Sequence, residues 1–459
     1  MLVPSGVASA GADEQQGGGL VRGLGPWSAA ALVVGTIIGT GVFLKAAPMA
    51  QLGGSAGWVL VAWAIAGAMS LAGALTFAEL GAAFPHAGGE YVFLREAWGP
   101  LPAYLYGWTR FWVATPASIA AYAIGAATFL SGVLPVGRLG HDTAAIALIA
   151  IFTGLNCLSV RTGGGFAAAL TALKLILILG LAAGALLLAP DVDLGRVTGG
   201  GDGGFPGYRA LGLMVLAALW AYDGWNNLPM AAGEVRDPGR TLPRAIVLGT
   251  LAVIAVYALV NVAYFAALPF PDVVTASSDA HPDAAPVAAR AAATFLGGAT
   301  QALLAVAMTV SALSAMAGSM LTGARVPYAM ARDGLAPARL AAVSAGARAP
   351  VAAVLIQGLW STALVTWGGF DLLTNYVVFA SWLFYALDAG AVLRLRRRRP
   401  DLVRPYRVPL YPLVPLLFLA LATLLVINTV VAAPRASLIG LGLIAAGAPV
   451  YLLGYRRRR

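Results

Sequence analysis

What most constrains this chain is a row of apolar stretches too long and too numerous for a water-soluble core. Twelve can be marked off, at roughly 27–50, 56–84, 99–132, 143–160, 166–189, 208–232, 244–268, 289–324, 351–368, 371–393, 410–432 and 436–455. A helix needs about 20 residues to cross the hydrocarbon layer. Only 10% of the 459 residues are charged, against 60% hydrophobic. A soluble domain carries about 25% charge, so no water-facing shell can be assembled and the chain reads as an integral membrane protein. Lipid offers no partner for open backbone, and Gly, Pro and charged breaks separate the runs. The expectation is an all-α membrane protein with 12 transmembrane helices.

The basic residues set its orientation, because Lys and Arg concentrate in cytoplasmic loops. With a cytoplasmic N-terminus, the inside loops hold Arg22, Arg95, Arg161, Arg236, Arg240, Arg244, Arg325, Arg332, Arg339 and Arg348. They also hold Arg394, Arg396 to Arg399, Arg404 and Arg407, and the chain ends on Arg456 to Arg459. Outside fall only Lys45, Arg138, Arg196, Arg209, Arg290 and Arg435. Both ends are therefore expected in the cytoplasm, with the basic clusters as anchors to anionic lipid. This distribution also explains the formal charge of +10 without a nucleic-acid partner. Residues 1–25 lack the apolar core of a signal peptide, so the first span is expected to serve as the insertion signal. The single cysteine, Cys157, allows no internal disulfide, and three scattered histidines suggest no metal site.

Two spans are written to unwind. The first contains VVGTIIGTGVFL at 33–44, with Gly35, Gly39 and Gly41 around Thr36 and Thr40. Each glycine costs a helix interior about 1 kcal/mol relative to alanine. The sixth contains LWAYDGWNNLPMAAGE at 219–234, where Asp223-Gly224 is a turn-prone pair between apolar flanks. Breaks in spans one and six suggest an inverted repeat, spans one to five against six to ten, with the broken helices meeting near the midplane. The expected organisation is a cytoplasmic tail at 1–25, a first repeat at 26–190, a second, inverted repeat at 207–396, helices eleven and twelve at 410–455 and a basic tail at 456–459. Span eight carries small residues at every fourth place, Ser311, Ala315, Ser319 and Gly323, which marks a close-packing face.

These strings resemble a known family. GTIIGTGVF, FAELGAAFPHAGGEYVFLREAWG (77–99), WAYDGWNNL (220–228) with EVRDPGRTLPRAI (234–246), ARVPYAMARDGLAP (324–337) and FASWLFYALDAGAVLRLR (379–396) are similar to motifs of the L-type amino acid transporters. That family lies in the amino acid–polyamine–organocation superfamily, and the match covers nearly the whole chain. YDGWN most resembles the branch that takes neutral and dibasic amino acids. The resemblance implies the LeuT-type five-plus-five inverted repeat with helices 1 and 6 unwound. Animal members use a cysteine after span three to join a single-span glycoprotein. Here the loop reads SGVLPVGRLGHD, so a prokaryotic member without a disulfide-linked heavy subunit is expected, in the cell inner (plasma) membrane.

The chemistry of an amino acid assigns the expected site. Its carboxylate needs N–H donors, which an unwound Gly39-Thr40-Gly41 followed by helix would provide. Its ammonium needs acceptors, expected from carbonyls around Ile37 and Ile38 and from Trp220, Ala221 and Asp223. By the resemblance, Trp220 is an aromatic lid. Asp223 either pairs with a cationic substrate side chain or caps the second half-helix of span six, with Trp225 and Asn226 in its first turn. Lys174 lies inside span five, where a buried ammonium must be paired or neutral. The resemblance implies that it bridges the broken first span and span eight, near Ser311 and Ser314, where sodium-coupled relatives of the fold hold a cation. No sodium requirement is then expected. Lys174 could instead carry a coupled proton. Glu79, Glu90, Arg95, Glu234 and Arg332 read as a network closing the cytoplasmic gate, with a solvated loop face as the alternative for all of them and equally so for Arg95 and Glu96. Arg110 reads as snorkelling or paired.

No nucleophile–base pair or metal spacing suggests an enzyme, and no cofactor is called for. No soluble signalling domain suggests a receptor, and no filter-like repeat suggests a channel. The expected function is sodium-independent exchange of neutral, and if Asp223 pairs with substrate also cationic, L-amino acids by alternating access. The alternative is proton-coupled uptake with Lys174 as the proton site.

Overall fold

A computed structural model describes residues 19–131, 140–201, 203–278, 280–281, 284–367, 370–432 and 434–455. The tail before Gly19, the 132–139 loop with Arg138 and the tail 456–459 lie outside the described residues. The described chain is helical throughout, and its only pairing of extended strands is in isolated bridges such as Leu24 with Val235.

In chain order come α1 (Pro26–Ile37), α2 (Gly41–Leu44), α3 (Ala46–Gly53), α4 (Ala56–Ala83), α5 (Glu90–Trp98), α6 (Pro100–Thr109) and α7 (Thr115–Leu130). They are followed by α8 (His141–Leu158), α9 (Val160–Leu187), α10 (Tyr208–Tyr222), α11 (Pro238–Ala267), α12 (Val287–Leu296) and α13 (Thr300–Gly323). The last are α14 (Arg325–Arg332), α15 (Val351–Trp367), α16 (Phe370–Arg398), α17 (Leu413–Ala432) and α18 (Pro434–Ala445). Among the described residues, nine helical segments are long and apolar enough to cross a membrane. Of the three other expected spans, α10 has 15 residues because it stops at the Asp223 break, and α15 has 17. The third, α16, is 29 residues long and carries several arginines near its end.

Local chemistry sets the helix starts. Ser55 caps α4 by accepting the Trp58 N–H, and Ser159 caps α9 by accepting that of Thr162. Pro26, Pro100 and Pro238 sit at first helical positions, where a missing N–H costs nothing. The cap at Ser159 starts α9 six residues ahead of the expected 166, and Pro238 likewise starts α11 ahead of the expected 244. Between α6 and α7 the chain widens into a π-helical turn over Arg110–Ala114, which turns Arg110 inward.

The centre of the bundle is α1, lying among α9, α11 and α13. It approaches two of them to backbone distance. A methyl added at Gly35 would sit 2.3 Å from the Thr171 hydroxyl, and one at Gly318 would sit 2.4 Å from the Thr36 methyl. Small residues of α13 therefore let it approach α1 at Gly318, while Gly323 packs instead on Thr115 and Gln357, and Gly35 serves packing.

Candidate functional site

The first break lies where expected. After Ile37 the helix opens through Ile38, Gly39 and Thr40, then resumes at Gly41. Lys45 keeps helical dihedrals, so the path from Gly41 runs on to Gly53. Opening a helix strands its carbonyls, and here protein donors take them up. The wholly buried Lys174 donates its ammonium to the Gly35 carbonyl at 2.8 Å and to the Ile38 carbonyl. Ser311 donates to the carbonyls of Gly39 at 2.8 Å and Ile38 at 3.3 Å. Lys174 of α9 and Ser311 of α13 thus converge on one carbonyl, and both hold the break open. Ser314, a turn away, meets Thr171 at 3.2 Å instead.

The N–H groups of Gly39 and Thr40 make no hydrogen bond among the described residues. Next to them, Gly41 is packed tightly: a methyl there would lie 2.6 Å from the Ala221 methyl. The break therefore leaves the Gly39 and Thr40 N–H groups without a partner among the described residues and uses Gly41 as a contact with the second break.

That second break begins at Asp223, after α10. Gly224 has φ +126°, and a methyl on it would lie 2.7 Å from the Thr36 carbonyl carbon and oxygen. Only glycine lets the two broken segments approach so closely. The Thr36 hydroxyl bridges the contact, its one proton shared between the Gly224 carbonyl at 3.0 Å and that of Leu32 in its own helix at 2.8 Å. Tyr257 of α11 spans the same junction, donating to Ala221 at 2.8 Å and Ile37 at 3.3 Å. The carbonyls of Ile37, Ile38 and Ala221, expected to receive a substrate ammonium, are thus already engaged by protein donors. Ile37 and Ala221 each retain a second lone pair, whereas Ile38 already meets two protein donors.

Asp223 does not cap a following helix. Its carboxylate accepts the Tyr385 hydroxyl at 2.8 Å, and the chain after it turns before forming a 3₁₀ segment at Leu228–Glu234 whose cap position is Asn227. Trp225 is buried among Phe77, Tyr385 and Phe418, a core anchor rather than a lining residue. Asn226 is buried and donates to Glu90 at 2.6 Å, and Arg110 donates to Asn227. Arg110 is therefore paired inside the bundle and does not snorkel. Trp220 is half-buried, with the Lys45 ammonium 4.6 Å above its ring.

The acids expected at the gate gather at one end of the bundle, but in separate clusters. Glu79 accepts from Arg396 at 2.9 and 2.6 Å and from the Val408 N–H at 2.7 Å, with Arg404 at 3.4 Å. Glu234 takes a two-pronged pair from Arg325 at 2.6 and 2.9 Å, with both side chains buried. Arg95 pairs with Asp333, which also accepts from Tyr91 at 2.6 Å, while Glu96 bonds Arg95 and Arg399. Arg332 is exposed and reaches the Tyr328 hydroxyl at 3.4 Å. The expected single network is thus several, and its chief cations are Arg325, Arg396 and Arg404. At the same end Leu24 bonds on both sides to the chain after the second break, N–H to Glu234 and carbonyl to Arg236, each at 2.9 Å.

Two facing interruptions inside a bundle of long apolar helices, with buried ion pairs apart from them, fit a multi-pass membrane protein of the permease type. The chain belongs to the amino acid permease family, whose model matches residues 24–451. It is 32% identical over 420 residues to the human b(0,+)-type amino acid transporter 1, covering 90% of this chain and 84% of that protein. The serine/threonine exchanger SteT of Bacillus subtilis is 30% identical over 455 residues, covering 96% and 98%. Large neutral amino acids transporter small subunit 2 of mouse is 30% identical over 472 residues, covering 98% and 85%. The resemblance read from the motifs thus holds, and these relatives are transporters rather than enzymes.

Proposed function

We propose that the protein exchanges L-amino acids across the cell membrane by alternating access, without sodium. The carrying observation is Lys174. Its ammonium occupies the carbonyls of Gly35 and Ile38, the acceptors that a coupled metal cation would need at the first break. A fixed positive charge there does the work of a bound ion at every stage of the cycle, which suits exchange rather than ion-driven accumulation. In this reading the N–H groups of Gly39 and Thr40 take the substrate carboxylate, Trp220 closes over it and the side of Asp223 discriminates among side chains. The bundle is a LeuT-type five-plus-five repeat of twelve spans, 26–190 against 207–396. Both termini are cytoplasmic, and the clusters around Glu79 and Glu234 close the cytoplasmic gate. The loop after the third span has no cysteine, so the protein works without a disulfide-linked heavy subunit.

Substrates are neutral amino acids, joined by cationic ones if Asp223 trades its Tyr385 hydrogen bond for a substrate ammonium or guanidinium. The test is uptake of labelled amino acid into proteoliposomes with and without unlabelled amino acid inside. Uptake that needs internal amino acid, ignores sodium and is not driven into empty vesicles by an imposed proton gradient is expected. Asp223→Gly is expected to lose arginine and lysine while keeping neutral substrates, and unchanged selectivity removes the pairing role.

A second reading is proton-coupled uptake with Lys174 as the proton site. It is favoured by the lack of any acid among the hydrogen-bond partners of Lys174 in the described residues, which leaves its charge to two neutral carbonyls. Accumulation in empty vesicles that follows an acid-outside gradient would select it.

A further inference from the structure

Away from Lys174, the bundle buries acids that neither reading uses. Ser381, Phe384, Tyr385 and Asp388 fall at i, i+3, i+4 and i+7 of α16, one face of that helix. The face is turned to the second break and to α6. Tyr385 bonds Asp223, and Phe384 packs edge-on against Tyr106 at 5.3 Å. Ser381 and Phe384 line a small space with Glu90, Tyr106 and Arg110. Asp388 is fully buried, within electrostatic reach of Glu90 and Tyr106.

The bonding of this cluster is incomplete. Neither oxygen of Asp388 has a hydrogen-bond partner among the described residues, and the same holds for Glu90 Oε2, Arg110 Nε and Ser381 Oγ. The charges do not balance either. Of the ionisable groups, Glu90 from α5 and Tyr106 and Arg110 from the third span line the space, and Asp223 from the break and Tyr385 and Asp388 from α16 lie within electrostatic reach of them. With the tyrosines neutral, three carboxyls meet one guanidinium. A buried carboxylate without a partner costs several kcal/mol, and such a group takes up a proton instead.

We propose that Glu90 and Asp388 form a proton-binding site, filled while the gate end of the bundle is closed and emptied to the adjoining water as it opens. The proton passes from water to a carboxylate oxygen and back, and no other bond changes. Because Asn226 of the second break holds Glu90, separating the break from α5 lets water reach both acids. The site thus couples gate opening to proton release on that side, a role separate from any at Lys174. The proposal rests on the alternating-access reading for its consequence, though not for the binding itself.

The direction follows from Glu90, which lies in the segment between spans. Burial lifts its carboxyl from 4.5 to about 7, against the opposing pull of Arg110 and the Asn226 amide. A hydrated Glu90 returns towards 4.5, so between these values the closed form holds a proton that the open form releases. Acid on the gate side favours closure, and closure is lost as pH rises through about 7.

Infrared titration of the purified full-length protein, without substrate, tests the binding. A carboxylic-acid carbonyl band is expected just below pH 7, disappearing above it, and reduced in Asp388→Asn and in Glu90→Gln. Absence of any titrating protonated-carboxyl band in the wild type overturns the proposal, and that arm needs no variant to fold. Exchange in proteoliposomes tests the coupling. With saturating amino acid, the wild-type rate rises with gate-side pH by up to about tenfold per unit, the limit for one proton. Asp388→Asn flattens this profile, and a variant that keeps the wild-type profile overturns the coupling. A titrating band with no exchange at all breaks the transport reading and leaves the proton site standing.

Discussion

The two breaks at the centre of the bundle both have carbonyls taken by side chains of other helices, but the second adds pairs between side chains. At the first, other helices donate to backbone carbonyls, Lys174 from α9 and Ser311 from α13. At the second, Asp223 holds Tyr385 and Asn226 holds Glu90, side chain to side chain. A carbonyl is present whatever residue occupies the position, so the first break is fixed by the chain itself. Side-chain pairs are specific to the residues that make them and exchange partners readily. The first break is therefore suited to the groups common to all amino acids, and the second to what differs among them and to movement.

Lys174→Ala is the most severe test of that contrast. It strips the cationic donor from two buried carbonyls, at about 1–3 kcal/mol each, and leaves a cavity besides. Exchange should be lost and the thermal unfolding midpoint of the purified protein should fall sharply. An unchanged midpoint would mean that the first break does not depend on α9. Gly224→Ala comes next, since it places a methyl against the Thr36 backbone and adds a strained dihedral worth about 1–3 kcal/mol. Separated breaks should slow exchange of every substrate alike, and a substrate-selective loss would contradict the assignment. Tyr385→Phe is the mildest, removing one hydrogen bond to a carboxylate worth about 1.5–3 kcal/mol within an otherwise intact aromatic cluster. Competition assays should show altered preference between neutral and cationic substrates with folding preserved. A uniform loss of rate would place Asp223 with the fixed elements instead.

Both breaks were legible as glycine-rich interruptions, because glycine and Asp-Gly pairs disfavour helix wherever they occur. Lys174 stood out as an ammonium inside an apolar run. What local pattern could not convey was pairing across the chain. Glu79 meets Arg396 across 317 positions, and the arginines of the last helices read equally well as membrane anchors. Asp388 sits in an apolar run whose helical face becomes meaningful only once Tyr106 and Glu90 are known to oppose it. Asn226 and Trp225 looked like helix starters because the turn after Asp223 is followed by 3₁₀ rather than α structure. The short-range signal for those two forms is the same.

The bridge at Leu24 ties these observations into a mechanical one. The residue that leads into α1 is bonded on both flanks to the strand that leaves the second break, and Thr36 joins the same two segments again 12 residues on. Two ties on one lever leave it no freedom to swing relative to its mate. In the proposed alternating-access cycle the paired broken segments turn together as a single crank, with the arginine-clamped helices around them as its housing.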